Sequence, residues 1–465
     1  MSEQLHANKI GTLQLAALLI LSRLFILLIY VPNTHNAVVG TPALLGILLG
    51  GVLTCVALLP AYLLFRQCPG MDLQQIARQF SPGLGKVTAA LFYLSCMVVA
   101  AETAAQFTMF LTSAVYPRAS VFWVSVIFCA SVLYMVVLGL EAVTRSAAIM
   151  LVVGVCSSFL VGCSLWRFVD TLNLITPFYE GIGPVLQASL LYFTQNIELI
   201  AFVLLVSHLN TADMRGAFLC YHIVVSLLLL LVGFAAITVL GSYGETRSFP
   251  IYTLFVLSGS NVFYRFDFVL VAVWVATALI RTSLYLILAT RMLNELTGRR
   301  FGKKLIAING IIVFLIALLA GVNIKIFQTL YRLLASGAPV YLLVTVLPVV
   351  LLLMLYRRKN KENGKKNSRP CSRKGMCSKV NEKRKSKLLL TLFALGITLT
   401  LCGCMKSVEL KERTIIRMVG VDVDGQDFVL TMSPYPSFPT DTVGRKIFLQ
   451  DAGGADEGKL DQRCN

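Results

Sequence analysis

Ten apolar runs follow one another along this chain, each close to or above the length a helix needs to cross a bilayer. About 20 residues of helix cover a hydrocarbon core of about 30 Å. The runs fall near residues 11–31, 38–64, 86–115, 120–140, 146–168, 184–208, 214–241, 266–291, 305–322 and 338–356. Composition agrees: 57% of the 465 residues are hydrophobic and 14% are charged, whereas soluble domains carry about 25% charged residues. A water-soluble fold is excluded, and the expected class is an all-α integral membrane protein with ten transmembrane helices. The third run is long enough to tilt. The amphipathic stretch from Lys325 to Leu334 reads as an interfacial or re-entrant piece.

The formal net charge of +18 is concentrated between Arg357 and Lys387. Basic residues beside a span hold that end in the cytoplasm, so they mark topology here and not a nucleic-acid partner. With the N-terminus inside, Arg66, Arg78, Lys86, Arg145, Arg215, Arg291, Lys303 and the 357–387 run are cytoplasmic. Arg118, Arg167, Arg247, Arg265, Lys325 and Arg332 are then outside.

Six of the twelve cysteines (Cys55, Cys96, Cys129, Cys156, Cys163 and Cys220) lie in apolar runs, where cysteine acts as a small hydrophobe. Cys371 and Cys377 stand in the basic linker without a second pair or histidines to complete a metal site. Residues 383–404, KRKSKLLLTLFALGITLTLCGC, follow the order of a bacterial lipoprotein signal: a basic flank, an apolar stretch, then small residues before Cys404. Cys404 is thus a candidate lipidation site. Beyond it, alternating residues around Asp424-Gly425 predict a β-hairpin, and the Pro-, Gly- and charge-rich stretch 433–465 is expected to be disordered. The resulting division is a ten-span unit (1–358), a basic linker (359–387), a lipoprotein-signal-like helix (388–404) and a short tail (405–465).

No Walker loop, HExxH or GxSxG pattern occurs, so no enzymatic activity and no cofactor or metal is expected. His6, His35, His208 and His222 sit in the N-terminal tail or near loops and read as interfacial. Polar residues within the spans carry more information, because each is costly unless it faces a partner or a cavity. Arg23 lies midway along the first run beside Ser22. Glu102 and Gln106 share one face of the third. Thr194, Gln195, Asn196 and Glu198 cluster in the sixth, and Arg281, Thr282, Ser283 and Tyr285 in the eighth. Ion pairs such as Arg23 or Arg281 with Glu102 or Glu198 would account for some of them structurally. As a set, they predict a polar site near the midplane.

Four segments together resemble a known family: IGTLQ (10–14), CPGMDLQQIARQFSPGLGK (68–86), GLEAVTR (139–145) and FYRFDFVLVAVW (263–274). Their order and spacing are similar to the B subunit of GerA-type spore germinant receptors, the endospore germination permease. The motif residues are Gly139, Glu141, Arg145, Arg265 and Asp267. The resemblance spans about residues 8–358. Independently, MKSVELKERTIIRMVGVDVDGQDFVLTM after Cys404 resembles the start of the family's C-subunit lipoprotein, through Glu409, Leu410 and Arg413.

This resemblance implies a LeuT-like fold of the amino acid–polyamine–organocation superfamily, with two inverted five-helix repeats and broken first and sixth helices around a midplane site. Where family members usually carry glycine in the first helix, this chain has Leu21-Ser22-Arg23, which makes a break there harder. The implied function is a spore inner-membrane receptor subunit. It would bind a small, amino acid-like nutrient through Ser22, Arg23, Glu102, Gln106, Thr194, Gln195, Asn196, Glu198, Arg281 and Ser283. Its implied partners are the receptor A and C subunits and membrane lipid, with no nucleic acid. A secondary transporter of amino acids or related organic solutes is the alternative, and a structural membrane partner with a vestigial pocket is a third reading.

Overall fold

The computed structural model describes residues 11–27, 40–174, 178, 181–209, 214–245, 249–258, 267–298, 302–367, 416–424, 427–434 and 445–449. The chain divides into two compact units, residues 1–33 with 37–375 and residues 34–36 with 376–465.

The first unit is helical. In chain order its principal helices are α1 (Thr12–Leu27), α2 (Thr41–Gln67), α3 (Leu73–Phe80), α4 (Pro82–Phe110), α5 (Val121–Leu138), α6 (Leu140–Leu165), α7 (Gly183–Thr194) and α8 (Glu198–Leu205). They continue with α9 (Met214–Ala235), α10 (Pro250–Ser258), α11 (Asp267–Thr297), α12 (Lys303–Val322), α13 (Ile324–Ala335) and α14 (Leu347–Asn367). Among the described residues eight helices are long and apolar enough to span a membrane, and a ninth span forms if α7 and α8 count as one bent element. The expected first span appears as a shorter apolar helix over Thr12–Phe25, and its expected continuation to residue 31 lies outside the described residues.

Burial explains the layering. In α1 every residue from Leu15 to Ser22 is at most 7% exposed, so this helix is enclosed on all sides, as a helix apolar all round must be. The most buried long span is α11, which packs against α1, α4, α5 and α6. Outer helices instead present large apolar side chains, such as Val152 and Phe159 on α6 and Leu227 and Leu231 on α9. In water such a surface would be an association liability; against lipid it is matched.

Small residues set the closest contacts. A Cβ built on Gly46 of α2 would lie 2.2 Å from the Ala188 Cβ, and one on Gly50 would lie 2.7 Å from the Ser189 carbonyl. Gly46 and Gly50 are one turn apart, so α2 and α7 meet backbone to backbone, the small-xxx-small arrangement of membrane helices. At the α5–α6 corner a single residue, Gly139 (φ +93°), joins the two helices.

At one end of the bundle, Asp72 ties three elements together. Its Oδ1 accepts the Gln75 N–H at 2.8 Å, and the Gln75 side chain accepts the Asp72 N–H at 3.1 Å, a reciprocal cap for α3. Its Oδ2 pairs with Arg291 of α11 at 2.5 Å, and Arg291 reaches the Leu204 carbonyl at 3.4 Å. Burial pushes the Asp72 carboxyl above the ordinary carboxylate range, against the opposing pull of Arg291 and the capping N–H.

Three features differ from expectation. The helix of α1 runs unbroken through Ser22-Arg23, because neither residue supplies the backbone freedom of glycine. The last helix continues to Asn367, so the expected linker at 359–387 begins as helix; Lys and Glu are good helix formers. In the second unit, β1 (Ile416–Asp424) and β2 (Asp427–Pro434) form a hairpin closing between Asp424 and Asp427. A third strand, β3 (Arg445–Leu449), pairs antiparallel with β2 inside the stretch expected to be disordered. Its Ile447-Phe448-Leu449 sequence is rich in strand formers, a local signal that the surrounding Pro, Gly and charge obscure. The apolar stretch 388–404, with Cys404, lies outside the described residues.

Candidate functional site

The sixth span is interrupted after Thr194. Helices α7 and α8 are bent by 42° across Gln195, Asn196 and Ile197. Asn196 donates its N–H to the Phe193 carbonyl and Ile197 donates to the Gln195 carbonyl, so the main chain makes tight local turns here. The interruption places Glu198 in the first turn of α8, fully buried.

Two arginines converge on Glu198. Arg281 of α11 pairs directly with Glu198 Oε1, and the same nitrogen, Nη1, donates to the Ser22 main-chain carbonyl at 2.7 Å. Its Nε donates to the Thr103 hydroxyl at 3.1 Å. Arg23 approaches Glu198 Oε2 at 3.6 Å and donates to the Gln195 carbonyl within the interruption. The Ser22 hydroxyl donates to Glu198 Oε1 at 3.2 Å. Glu102 is buried one residue before Thr103, near enough to Arg281 and Glu198 to feel both charges.

Thus α1, α4, α8 and α11 are joined by one buried network. Both arginines reach Glu198, and Glu102 lies beside them. Breaking a buried pair by removing one partner costs about 3–5 kcal/mol, because the other charge is left stranded.

Several buried polar atoms in this region have no hydrogen-bond partner: Arg281 Nη2, Asn196 Nδ2, Glu198 Oε2, Gln106 Oε1, Thr282 Oγ1, Tyr285 OH and Trp274 Nε1. Unsatisfied buried groups are normally rare and costly, and here they concentrate on or beside the network. Above it lies an aromatic group. Trp274 stacks on Phe25 at 5.5 Å and on Phe107 at 5.2 Å, with Phe110 edge-on at 4.4 Å.

Of the residues singled out in the sequence, Ser22, Arg23, Gln195, Glu198 and Arg281 meet directly, and Glu102 adjoins them. Asn196 joins through Tyr221, whose hydroxyl donates to its Oδ1. Gln106 is buried one turn beyond Glu102. Thr194 instead donates to the Leu191 carbonyl at 3.3 Å and packs on Gly337. Ser283 turns away toward α5, donating to the Val132 carbonyl at 3.5 Å.

The motif residues lie elsewhere. Glu141 and Arg145 pair one turn apart on a half-exposed face of α6, Asp267 opens α11, and Arg265 is outside the described residues. Thr103, Tyr221 and Trp274 belong to the region but carry no charge at neutral pH that would mark them in an apolar sequence.

Helices enclosing a broken span and a buried polar network define a multi-pass membrane protein. A Na+-coupled sialic acid symporter, solved substrate-bound and outward-open, shares this architecture at 13% identity. The match covers 75% of this chain and 80% of that one with a TM-score of 0.52, and establishes the LeuT-like fold alone. A manganese transporter of Eremococcus coleocola, solved with an aromatic bis-isothiourea substituted compound, overlaps more loosely. There the identity is 14% over 84% of this chain and 93% of the other, with a TM-score of 0.41. No curated protein matches the chain. The spore germination protein family model matches residues 9–324, and the chain belongs to that family.

Proposed function

We propose that this chain is the membrane subunit of a spore nutrient germinant receptor, resident in the spore inner membrane and acting with A and C subunits. Its ligand is a small, amino acid-like nutrient bound between α1, α4, the α7–α8 interruption and α11. The observation that carries this reading is the interruption itself. It sets Asn196 Nδ2 and Arg281 Nη2, both buried donors without partners, around the Arg23–Glu198–Arg281 network. Free donors beside a helix break suit a carboxylate, and Glu198 offers an acceptor for an amino group.

The test is germination of spores carrying Asn196→Asp. This substitution keeps the oxygen that Tyr221 contacts and turns the free donor into an acceptor. The germinant concentration for half-maximal response is expected to rise by about tenfold or more, the equivalent of about 1.4 kcal/mol. An unchanged response with normal protein levels removes Asn196 from the site. The alternative, a secondary transporter, rests on the shared fold. Uptake of labelled amino acids into vesicles containing the full chain distinguishes the two, since a receptor subunit accumulates none.

A further inference from the structure

Helix α13 turns one side to the bundle and the other away from it. Phe327 and Leu334 are buried, Phe327 against Ala105 of α4 and Ala320 of α12. Lys325, Thr329 and Arg332 are exposed. Lys325 and Arg332 are seven residues apart, so they share one side of the helix about 10 Å apart along its axis, away from Phe327 and Leu334. Lys325 stands in the first turn, its N–H held by the Asn323 side chain at 3.0 Å. A cation there opposes the helix dipole, so the helix itself gains nothing from the charge.

A third cation stands at the same rim. The last turn of α12 and the first of α5 touch closely: a Cβ on Gly321 would lie 2.9 Å from Val121 Cγ1. Arg118 precedes Val121 by three residues, Lys325 follows Gly321 by four, and Arg118 is exposed. No Asp or Glu occurs between Thr103 and Leu140 or between Lys303 and Arg358. None of the three cations enters an ion pair among the described residues. Because α4 and α12 begin beside Lys86 and Lys303, on the side that the Lys/Arg bias assigns to the cytoplasm, this rim lies on the outer face. Cations are scarce there, and three of the six fall together.

An apolar path leads to this rim. Ile308, Ile311, Leu315, Leu319 and Val322 of α12 are exposed at spacings of three and four residues, a continuous stripe that ends just before Asn323 and Lys325. Tyr116 and Trp123 are exposed on either side of Arg118 in the chain, and such aromatic side chains settle at the level of lipid headgroups.

We propose that Arg118, Lys325 and Arg332 form a binding site for an anionic glycerophospholipid of the outer leaflet, with the phosphate at the cationic rim and an acyl chain along the α12 stripe. Charge decides the headgroup: clustered Lys and Arg without a carboxylate favour a net-negative lipid over a zwitterionic one, whose own cation they repel. The stripe decides the source, since a soluble phosphate would leave it unused. The site lies apart from the Glu198 network and does not depend on the receptor reading.

The experiment is thermal unfolding of the full chain purified in detergent, with phosphatidylglycerol, phosphatidylcholine or glycerol 3-phosphate added at constant ionic strength. Wild type is expected to gain at least about 3 °C, saturably, with phosphatidylglycerol and with neither of the others. Arg118→Gln/Lys325→Gln/Arg332→Gln should lose most of that gain. The charge-matched control on the opposite face, Lys86→Gln/Lys303→Gln/Lys304→Gln, should keep it.

Equal behaviour of the two triple variants overturns the proposal, because the lipid is then held by diffuse charge or elsewhere. So does a wild type that responds alike to phosphatidylglycerol and phosphatidylcholine, or one that responds fully to glycerol 3-phosphate, which marks a soluble anion. Should the rim triple variant not accumulate, Lys325→Gln against Lys303→Gln reads the same contrast, with the larger loss expected at Lys325.

Discussion

Gly337 stands so close to Thr194 that a Cβ on the glycine would lie 2.2 Å from the Thr194 Cβ. Thr194 is the last residue of α7, and Gly337 leads into the final span with φ at +69°. The interruption between α7 and α8 is thereby braced by the residues that lead into α14. Gly337→Ala adds a left-handed penalty of about 1–2 kcal/mol and forces these backbones apart. Gly298 provides the control, with φ at +65° and nothing within 4 Å of its built Cβ. Gly337→Ala is expected to lower Tm clearly more than Gly298→Ala, and equal losses would show that the contact carries no weight.

The α2–α7 contact makes a second prediction. Alanine at Gly46 would meet Ala188 at 2.2 Å, and alanine at Gly50 would meet the Ser189 carbonyl at 2.7 Å and the Tyr192 Cβ at 2.8 Å. Either change should destabilise by about 1–3 kcal/mol, the usual range for overpacking. Ala188→Gly should recover part of the loss for Gly46→Ala and none for Gly50→Ala. Recovery of both would mean that the helices slide past each other instead of meeting at these positions. Thermal unfolding of the purified single and double variants reads the difference.

Asp72 offers a pH-dependent prediction. Its folded pKa is raised by burial, so protonation favours the folded state relative to the unfolded one. Its favourable contribution is complete below the ordinary carboxylate pKa and is lost as pH rises through the raised folded value. Asp72→Asn keeps an oxygen for the Gln75 N–H and removes that dependence. Asp72→Ala also removes the cap, worth about 1 kcal/mol. Tm profiles from mildly acidic to neutral pH should therefore flatten in Asp72→Asn, while Asp72→Ala should run lower throughout. A wild-type Tm that climbs across this window would reverse the sign of the argument for Asp72.

Much of the site is legible in the sequence, for a specific reason. In an apolar chain each ionisable residue within a span is conspicuous, so Arg23, Glu198 and Arg281 stand out from the linear order alone. Their mutual pairing is one of several arrangements open to them. The choice of Glu198 over Glu102 as the shared partner depends on the turn at residues 195–197, which a linear pattern does not reveal. Neutral participants stay hidden: Thr103 and Tyr221 look like ordinary residues of apolar helices, and Gly337 looks like a loop glycine. Ser283 misleads because its nearness in sequence to Arg281 does not carry over to the helix surface. Two positions along a helix are about 200° apart around it, and Ser283 faces α5. In the tail, β3 escapes notice because three apolar residues, Ile447 to Leu449, within a polar stretch give too short a signal.

Glu198 is the residue on which the structural and binding readings part. It pairs with two buried arginines at once, so it holds helices together whether or not a ligand ever reaches it. Glu198→Gln preserves shape and hydrogen-bonding capacity but leaves Arg23 and Arg281 with Glu102 as the remaining nearby carboxylate. Loss of a buried ion-pair partner is expected to cost about 3–5 kcal/mol, and Glu198→Ala, which also removes the acceptors, should cost more. If the network forms part of a nutrient site, the glutamine variant still reaches the spore membrane and its germinant dose response moves to higher concentration. A ligand carboxylate would then meet two arginines that have lost their shared partner, so acidic analogues should lose less potency than neutral ones. Immunoblots of spore membranes together with dose–response curves for neutral and acidic amino acids resolve the question. A variant absent from the membrane assigns Glu198 a structural role. One present at normal levels with an unchanged response places the nutrient site elsewhere in the bundle.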